Sequence, residues 1–285
     1  MVEGIVSQTP ESEKHAGERL IASTRSAATF VLVMVIFIVL WQAIKAVFRL
    51  DVRILPNVSD ILGALIAPVQ EGKATLGAIL FNSALFTLRE AVIGFFFGAG
   101  IGFILAVIFA HSLPLERGLM PLVVASQTVP ILAIAPMVVV WLKAGWLSVA
   151  VISAYLTFFP VTINTLRGLT AIPTTALELM QSYAATRWQV LVDLRIPNAL
   201  PYILTALKIS ATTSIVGAII GELPSGIQDG LGGAILNFNQ YYASAPARLW
   251  ATNLVAALTG IVAFGVVVLA ERVLLRWMPS NRHIG

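Results

Sequence analysis

Apolar residues in this chain gather into blocks of about 20, the length an α-helix needs to cross a hydrocarbon layer about 30 Å thick. The blocks fall near 28–44, 91–110, 121–141, 147–166, 202–223 and 251–269. They predict an all-α integral membrane protein with about six transmembrane helices. Within the second block Gly94, Gly98, Gly102, Ala106 and Ala110 recur every fourth residue, a stripe of small side chains that lets a neighbouring helix approach closely. The third block is uncharged but holds Pro121, Pro130 and Pro136, which predicts kinks in one continuous span. Before the first block the chain is polar and of mixed charge, and it reads as a tail over 1–27; 279–285 reads as a second tail, with a membrane domain over 28–278 between them.

Composition agrees with the pattern. Of 285 residues 58% are hydrophobic and 11% charged, against roughly a quarter charged in an ordinary soluble domain. The net charge of +4 raises the question of nucleic acid, but the basic residues sit in the gaps between apolar blocks. Membrane lipid, anchoring and orientation account for them better. The absence of cysteine excludes disulfides, thiolate metal sites and cysteine nucleophiles. With six spans both termini share one side. If that side is the cytoplasm, Lys45, Arg49, Arg53, Lys73, Arg89, Lys143 and Arg248 lie outside and the other eleven of the 18 Lys and Arg lie inside, a modest positive-inside bias.

The polar connection 167–201 carries the most information. In PTTALELMQSYAATRWQVLVDLRIPNALP, Pro173 can open a helix, Thr174 or Thr175 can cap it, and Glu178 favours the positive end of its dipole. A short helix is predicted over about 175–187 and a second over 188–194 that ends near Pro197. On periodicity alone these are two interfacial helices with no assigned partner.

The same stretch resembles the EAA motif of permeases of type I ABC importers: Glu-Ala-Ala, three residues, Gly, nine residues, Ile, any residue, Leu, Pro. Glu178, Leu179 and Met180 occupy the triplet, Ala184 the glycine position, and Leu194, Ile196 and Pro197 the closing positions, with no insertion. SYAATRWQVLVDLRIPNALPYILTALKIS, LPNVSDIL and GELPSGIQDGLGG resemble the branch that imports nitrate, sulfonates, taurine and pyrimidine precursors of thiamine.

That resemblance implies a multi-pass protein of a prokaryotic cytoplasmic membrane, with both termini inside and the type I permease fold. It implies that the loop is a coupling helix seated on a separate ATPase subunit, with Glu178, Leu179, Met180, Ser182, Tyr183, Ala184, Ala185 and Pro197 as its contact and turn residues. It further implies two such ATPase subunits, a second permease copy or close homologue, and an extracytoplasmic substrate-binding protein. ATP and Mg would be bound by the ATPase and not by this chain, which would be a transport subunit rather than an enzyme. Alanine at the glycine position accepts a positive φ less readily, so the turn is where this chain departs from the motif.

A pathway needs polar groups facing a cavity, because polar atoms facing lipid are costly. Gln127, Thr128, Tyr155, Asn164, Ser210, Thr212, Ser214 and Glu222 are the candidates, although hydroxyls in such helices also bond their own backbone. Glu222 closes the fifth span and reads as a headgroup contact, a gate, or a contact for an external binding protein. Arg89 and Glu90 read as an anchor at the start of the second span. No carboxylate is predicted in the middle of a span, which speaks against the alternative of an ion-coupled secondary transporter or channel. Gly226, Gly230, Gly232 and Gly233 lack the Lys-Ser or Lys-Thr of a phosphate loop and read as close packing against the bundle, while Asn237, Asn239, Tyr241 and Tyr242 are candidate contacts for a docked binding protein. His15, His111 and His283 are too scattered to define a site.

Overall fold

The computed structural model describes residues 10–72, 74–143 and 145–277. The residues up to Ile61 and those from Leu62 onward form two separate units.

The first unit holds α1, Pro10–Val47, and the start of α2, Val58–Ile66. Helix therefore extends into the polar stretch read as a tail; Met1–Thr9 and the C-terminal tail with His283 lie outside the described residues. In the connection to α2, the Trp41 indole N–H donates to the Pro56 carbonyl at 3.0 Å and Lys45 Nζ to Asn57 Oδ1 at 2.5 Å. The LPNVSDIL motif thus reads as a local turn: Asn57 donates from Nδ2 to Asp60 at 2.8 Å in the first turn of α2.

The second unit is helical: α3 (Leu76–His111), α4 (Leu113–Ser126), α5 (Ile131–Trp141), α6 (Trp146–Thr170), α7 (Thr174–Ser182), α8 (Arg187–Gln189), a π-wound stretch Val190–Arg195, α9 (Ile196–Ser225), α10 (Leu231–Gln240) and α11 (Pro246–Trp277). Four helical stretches, Leu76–His111, Trp146–Thr170, Arg187–Ser225 and Pro246–Leu275, are long and apolar enough to cross a membrane alone. The pair α4 and α5 supplies a fifth if counted as one bent span, and the apolar segment of α1, Val31–Val47, is shorter.

Small residues build the interior. The predicted stripe on α3 lies against α6: a Cβ added at Gly94 would stand 2.4 Å from Ser153 Cβ, at Gly98 2.5 Å from the Ala154 carbonyl, and at Gly102 2.5 Å from that of Phe158. On the other side of α6, α9 repeats the device, where a Cβ at Gly217 would meet Ser153 Cα at 2.7 Å. Large side chains such as Phe96, Phe97 and Ile104 point outward from α3. Small residues inside and large apolar ones outside suit a bundle surrounded by lipid, where backbones gain from close approach and Leu or Phe loses nothing by exposure.

Three expectations are corrected. α3 begins at Leu76, not near 91, so Glu90 lies inside the helix, 2% exposed, and does not anchor its start. The polar run Asn82, Ser83, Thr87, Arg89, Glu90 masked a helix whose polar residues are partly turned inward. The third span is not one kinked helix but α4 and α5, bent by 95°. Pro130 lacks the N–H that would continue α4 and takes an extended ψ of 115° as the N-cap of α5. Finally, the helix after the polar loop does not stop near Pro197 but runs on through Pro197 and Pro201 to Ser225. Pro197 follows directly on the π-wound turn, whose wider path relieves the clash of the proline ring with the preceding turn.

Candidate functional site

The motif loop is a helix, a tight turn and a second helix that merges with a membrane span. α7 runs Thr174–Ser182 behind Pro173, with no side-chain cap from the two threonines, and it is shorter than the helix predicted to reach 187. It ends in a Schellman arrangement: the Ala185 N–H donates to the Met180 carbonyl at 3.0 Å and the Ala184 N–H to that of Gln181 at 2.9 Å. This geometry requires left-handed backbone at Ala184, which has φ 53°. The glycine position of the motif is thus the left-handed residue past the helix end, and this chain holds alanine there at a cost of about 1 kcal/mol.

Two residues later the chain starts again under a capping box. The Thr186 hydroxyl accepts from the Gln189 N–H at 3.3 Å and the Gln189 amide oxygen accepts from the Thr186 N–H at 2.8 Å. With the turn closed on both sides, α7 is joined stiffly to the 39-residue stretch Arg187–Ser225. The base is tied to two other helices. Arg195 Nη1 donates to the Ala110 carbonyl at the end of α3 at 2.7 Å, and Asn198 Nδ2 donates to the Gly168 and Ala171 carbonyls of the α6 terminus at 3.1 and 3.0 Å.

The outer surface of the loop is bare. No residue of α7 is buried; Leu179 is 56% exposed, Tyr183 77% and Trp188 68%, and Glu178 and Ser182 are exposed beside them. Met180 and Ala185 are half-buried, Ala184 is exposed, and Pro197 is exposed at the start of α9. Sequence reasoning overlooked Trp188, Arg195, Asn198 and the Thr186–Gln189 box. The box had a readable signal, Thr-x-x-Gln before an apolar run.

Of the pathway candidates, the structure brings three together. Gln127 and Thr128 are exposed in the bend between α4 and α5, and the Tyr155 hydroxyl from α6 donates to the Ser126 carbonyl that the end of α4 leaves free. Tyr155 stands ten residues into the 25-residue α6, so the bend lies beside the middle of a spanning helix. The other candidates do not join them. Asn164 is half-buried and donates to the Pro160 carbonyl at 2.8 Å, and Thr212 to that of Ile209 at 2.8 Å. Ser210 and Ser214 are buried; Ser214 bonds the Ala211 carbonyl at 2.9 Å and Ser210 reaches that of Thr157 at 3.4 Å. Glu222, near the end of α9, is also buried. An apolar cavity of about 470 Å³ between α3, α9 and α11 and another of about 460 Å³ between α3 and α6 collect none of the polar candidates except Ser214 and Tyr155.

Gly230, Gly232 and Gly233 pack closely as expected, at the start of a helix, where a Cβ at Gly233 would stand 2.4 Å from the Ile227 carbonyl, whereas Gly226 does not: a Cβ there would meet nothing within 4 Å, and its φ of 74° ends α9. Asn237, Asn239 and Tyr241 are exposed on or just after α10, while Tyr242 is half-buried with its hydroxyl 3.2 Å from Trp250 Nε1. Among the described residues no three or more His, Cys, Asp or Glu gather as a metal site.

Four helices long and apolar enough to cross a membrane, a further pair bent into a broken span, and an exposed helical loop leading into α9 are the features of a multi-pass membrane subunit. Residues 98–277 match the family described as binding-protein-dependent transport system inner membrane component, and the chain belongs to that family, the inner-membrane permeases of ABC importers. It is 30% identical to the riboflavin transport system permease RibX of Chloroflexus aurantiacus over 247 residues, 87% of this chain and 89% of that protein. It is 32% identical to the formylaminopyrimidine transport permease ThiX of Halalkalibacterium halodurans, over 72% of this chain and 80% of that one. The putative aliphatic sulfonates transport permease SsuC of Bacillus subtilis shares 27% identity over 86% of each chain. In fold, the chain is similar to a solved structure titled as an amino acid ABC transporter with histidines, with a TM-score of 0.56 at 15% identity, covering 69% of this chain and 94% of that one.

Proposed function

We propose that this chain forms half of the substrate pathway of an ATP-driven importer and that the surface of Leu179, Tyr183 and Trp188 is where an ATPase subunit docks. The observation that carries this reading is the joint at Ala184 and Thr186, hydrogen-bonded on both sides, which ties α7 to the start of the Arg187–Ser225 stretch. A partner that moves α7 moves α9 with it, and Arg195 and Asn198 pass the motion to the ends of α3 and α6. The loop and both termini then face the cytoplasm. Two copies, or this chain and a close homologue, enclose the pathway, each taking one ATPase subunit that binds ATP and Mg. Binding of ATP closes the ATPase pair, shifts both loops and turns the cavity from one side to the other. An external binding protein delivers the solute, with Asn237, Asn239 and Tyr241 on the opposite end of the bundle as its contacts.

The substrate is a small organic or inorganic solute. The relatives at 30 and 32% identity are named for riboflavin and formylaminopyrimidine, which supports testing heterocycles first, before sulfonates, taurine and nitrate. The test is uptake into liposomes holding the chain with its ATPase and binding protein, with riboflavin, formylaminopyrimidine and an aliphatic sulfonate as probes. Uptake should require internal ATP. Undiminished uptake by this chain alone under an ion gradient contradicts the reading and favours a secondary transporter.

A further inference from the structure

α3, α9 and α10 meet at a buried polar knot that the transport reading does not use. Glu222, on the last turns of α9, is fully buried. Its Oε1 accepts from the Thr87 hydroxyl of α3 at 2.6 Å and its Oε2 from the Gly232 N–H in the first turn of α10 at 2.6 Å. The Thr87 hydroxyl in turn accepts from the Leu231 N–H at 2.8 Å. Each oxygen of Glu222 thus takes a donor, the use to which a carboxylate is put, and it does so at a helix N-terminus that favours negative charge. Gly230 and Gly232 leave room for it: a Cβ at Gly230 would stand 2.3 Å from the carboxyl carbon, and one at Gly232 2.6 Å from Glu222 Cβ.

Glu90 lies on the same face of α3, three residues after Thr87 and so one turn along, which brings its carboxyl to that of Glu222. It is 2% exposed, and neither of its oxygens has a hydrogen-bond partner among the described residues. Arg89 beside it in sequence is exposed on another face of the helix. The carboxylate of Glu271 on α11 shows the usual remedy for such a charge, both oxygens lying 3.0 Å from Lys208 Nζ on α9. Among the described residues no Lys or Arg forms an ion pair with Glu90, and a bare charge in that position is among the most costly arrangements a protein can hold. A carboxyl group next to a carboxylate has a simple way to satisfy both: one proton between them.

We propose that Glu90 and Glu222 form an acid–carboxylate pair, with Glu90 the neutral acid whose O–H donates to Glu222, and that the carboxylate of Glu222 in turn anchors the first turn of α10. Thr87, Glu90 and Glu222 are then positioning residues that hold α10 to α3 and α9 as one body.

The test uses the full-length chain in lipid nanodiscs and needs no transported solute. Hydrogen exchange at residues 230–234 is compared among wild type, Glu90→Gln, Glu222→Gln and Thr87→Val, and the infrared carbonyl stretch of a protonated carboxylic acid is recorded. Gln at 90 keeps the shape and a donor, so exchange should stay within about twofold of wild type while the acid band disappears. Loss of the charge at Glu222 or of the hydroxyl at Thr87 should speed exchange by about tenfold or more. A folded Glu90→Gln beside an unfolded Glu222→Gln supports the same assignment. No acid band in wild type, exchange in Glu90→Gln as fast as in Glu222→Gln, or failure of Glu90→Gln to fold would overturn it. So would protection of 230–234 that depends on added sodium, potassium or calcium in wild type and is lost in Glu90→Gln, because Glu90 would then be holding a cation.

Discussion

Two regions of this chain treat contact in opposite ways. Where α3 crosses α6 the side chains are so small that one added carbon strikes backbone, whereas on α7 and α8 three large apolar side chains stand exposed. The first arrangement completes its own contacts; the second completes none. The difference separates the region that holds the subunit together from the region proposed to connect it to an ATPase.

The largest break in this comparison comes from filling the closed region. Gly98→Leu drives side-chain atoms into the Ala154 carbonyl and should abolish recovery of folded, monodisperse protein, and even Gly98→Ala should cost about 1–3 kcal/mol in thermal or denaturant unfolding. Gly100→Ala on the same helix has nothing within 4 Å of its new carbon and should unfold as wild type does or later. Equal damage at the two sites would mean that the stripe is not what sets the approach of α3 to α6.

Substitution in the open region should leave folding alone. Tyr183→Arg or Trp188→Ala should weaken association with the ATPase subunit by about 2 kcal/mol, roughly thirtyfold, with unchanged membrane insertion and melting of the isolated chain. Glu178→Arg should act in the same direction through its charge. Wild-type assembly in all three variants would remove the loop from its role.

Smaller effects come from the joint. Thr186→Ala deletes one side of the capping box and should cost about 1 kcal/mol locally, read as faster exchange at Gln189 and a lower ratio of transport to ATP hydrolysis. Ala184→Gly relieves the left-handed strain and should stabilise the turn by about 1 kcal/mol or less. If Ala184→Gly destabilises the turn, the left-handed conformation is not what the motif's glycine serves.

What the sequence revealed and what it hid divide along the same line. Apolar length announced the spans, and the four-residue spacing of Gly94, Gly98 and Gly102 announced a close-packed face, because both are properties of one helix read along its own axis. The motif spacing announced the turn at Ala184 through a single backbone requirement. The start of α3 was hidden because Arg89 and Glu90 lower hydropathy whether a side chain points to water or into a polar knot with a helix more than a hundred residues away. The partners of Ser210, Ser214 and Glu222 were hidden for the same reason: they belong to other helices or to their own backbone, and a polar residue in an apolar block does not say which way it faces. The 95° bend exceeded the predicted kink because Pro130 acts with Gln127 and Thr128, a break of several residues that a lone proline does not imply.

The central claim, that the loop of α7 and α8 seats an ATPase, can be tested directly because the chain contains no cysteine. A single Tyr183→Cys variant carrying a thiol-directed photocrosslinker, illuminated in native membranes, should give one dominant adduct whose partner is an ATP-binding subunit, and Asn237→Cys on α10 should not form it. An ATPase adduct from position 237 and none from position 183 would contradict the account.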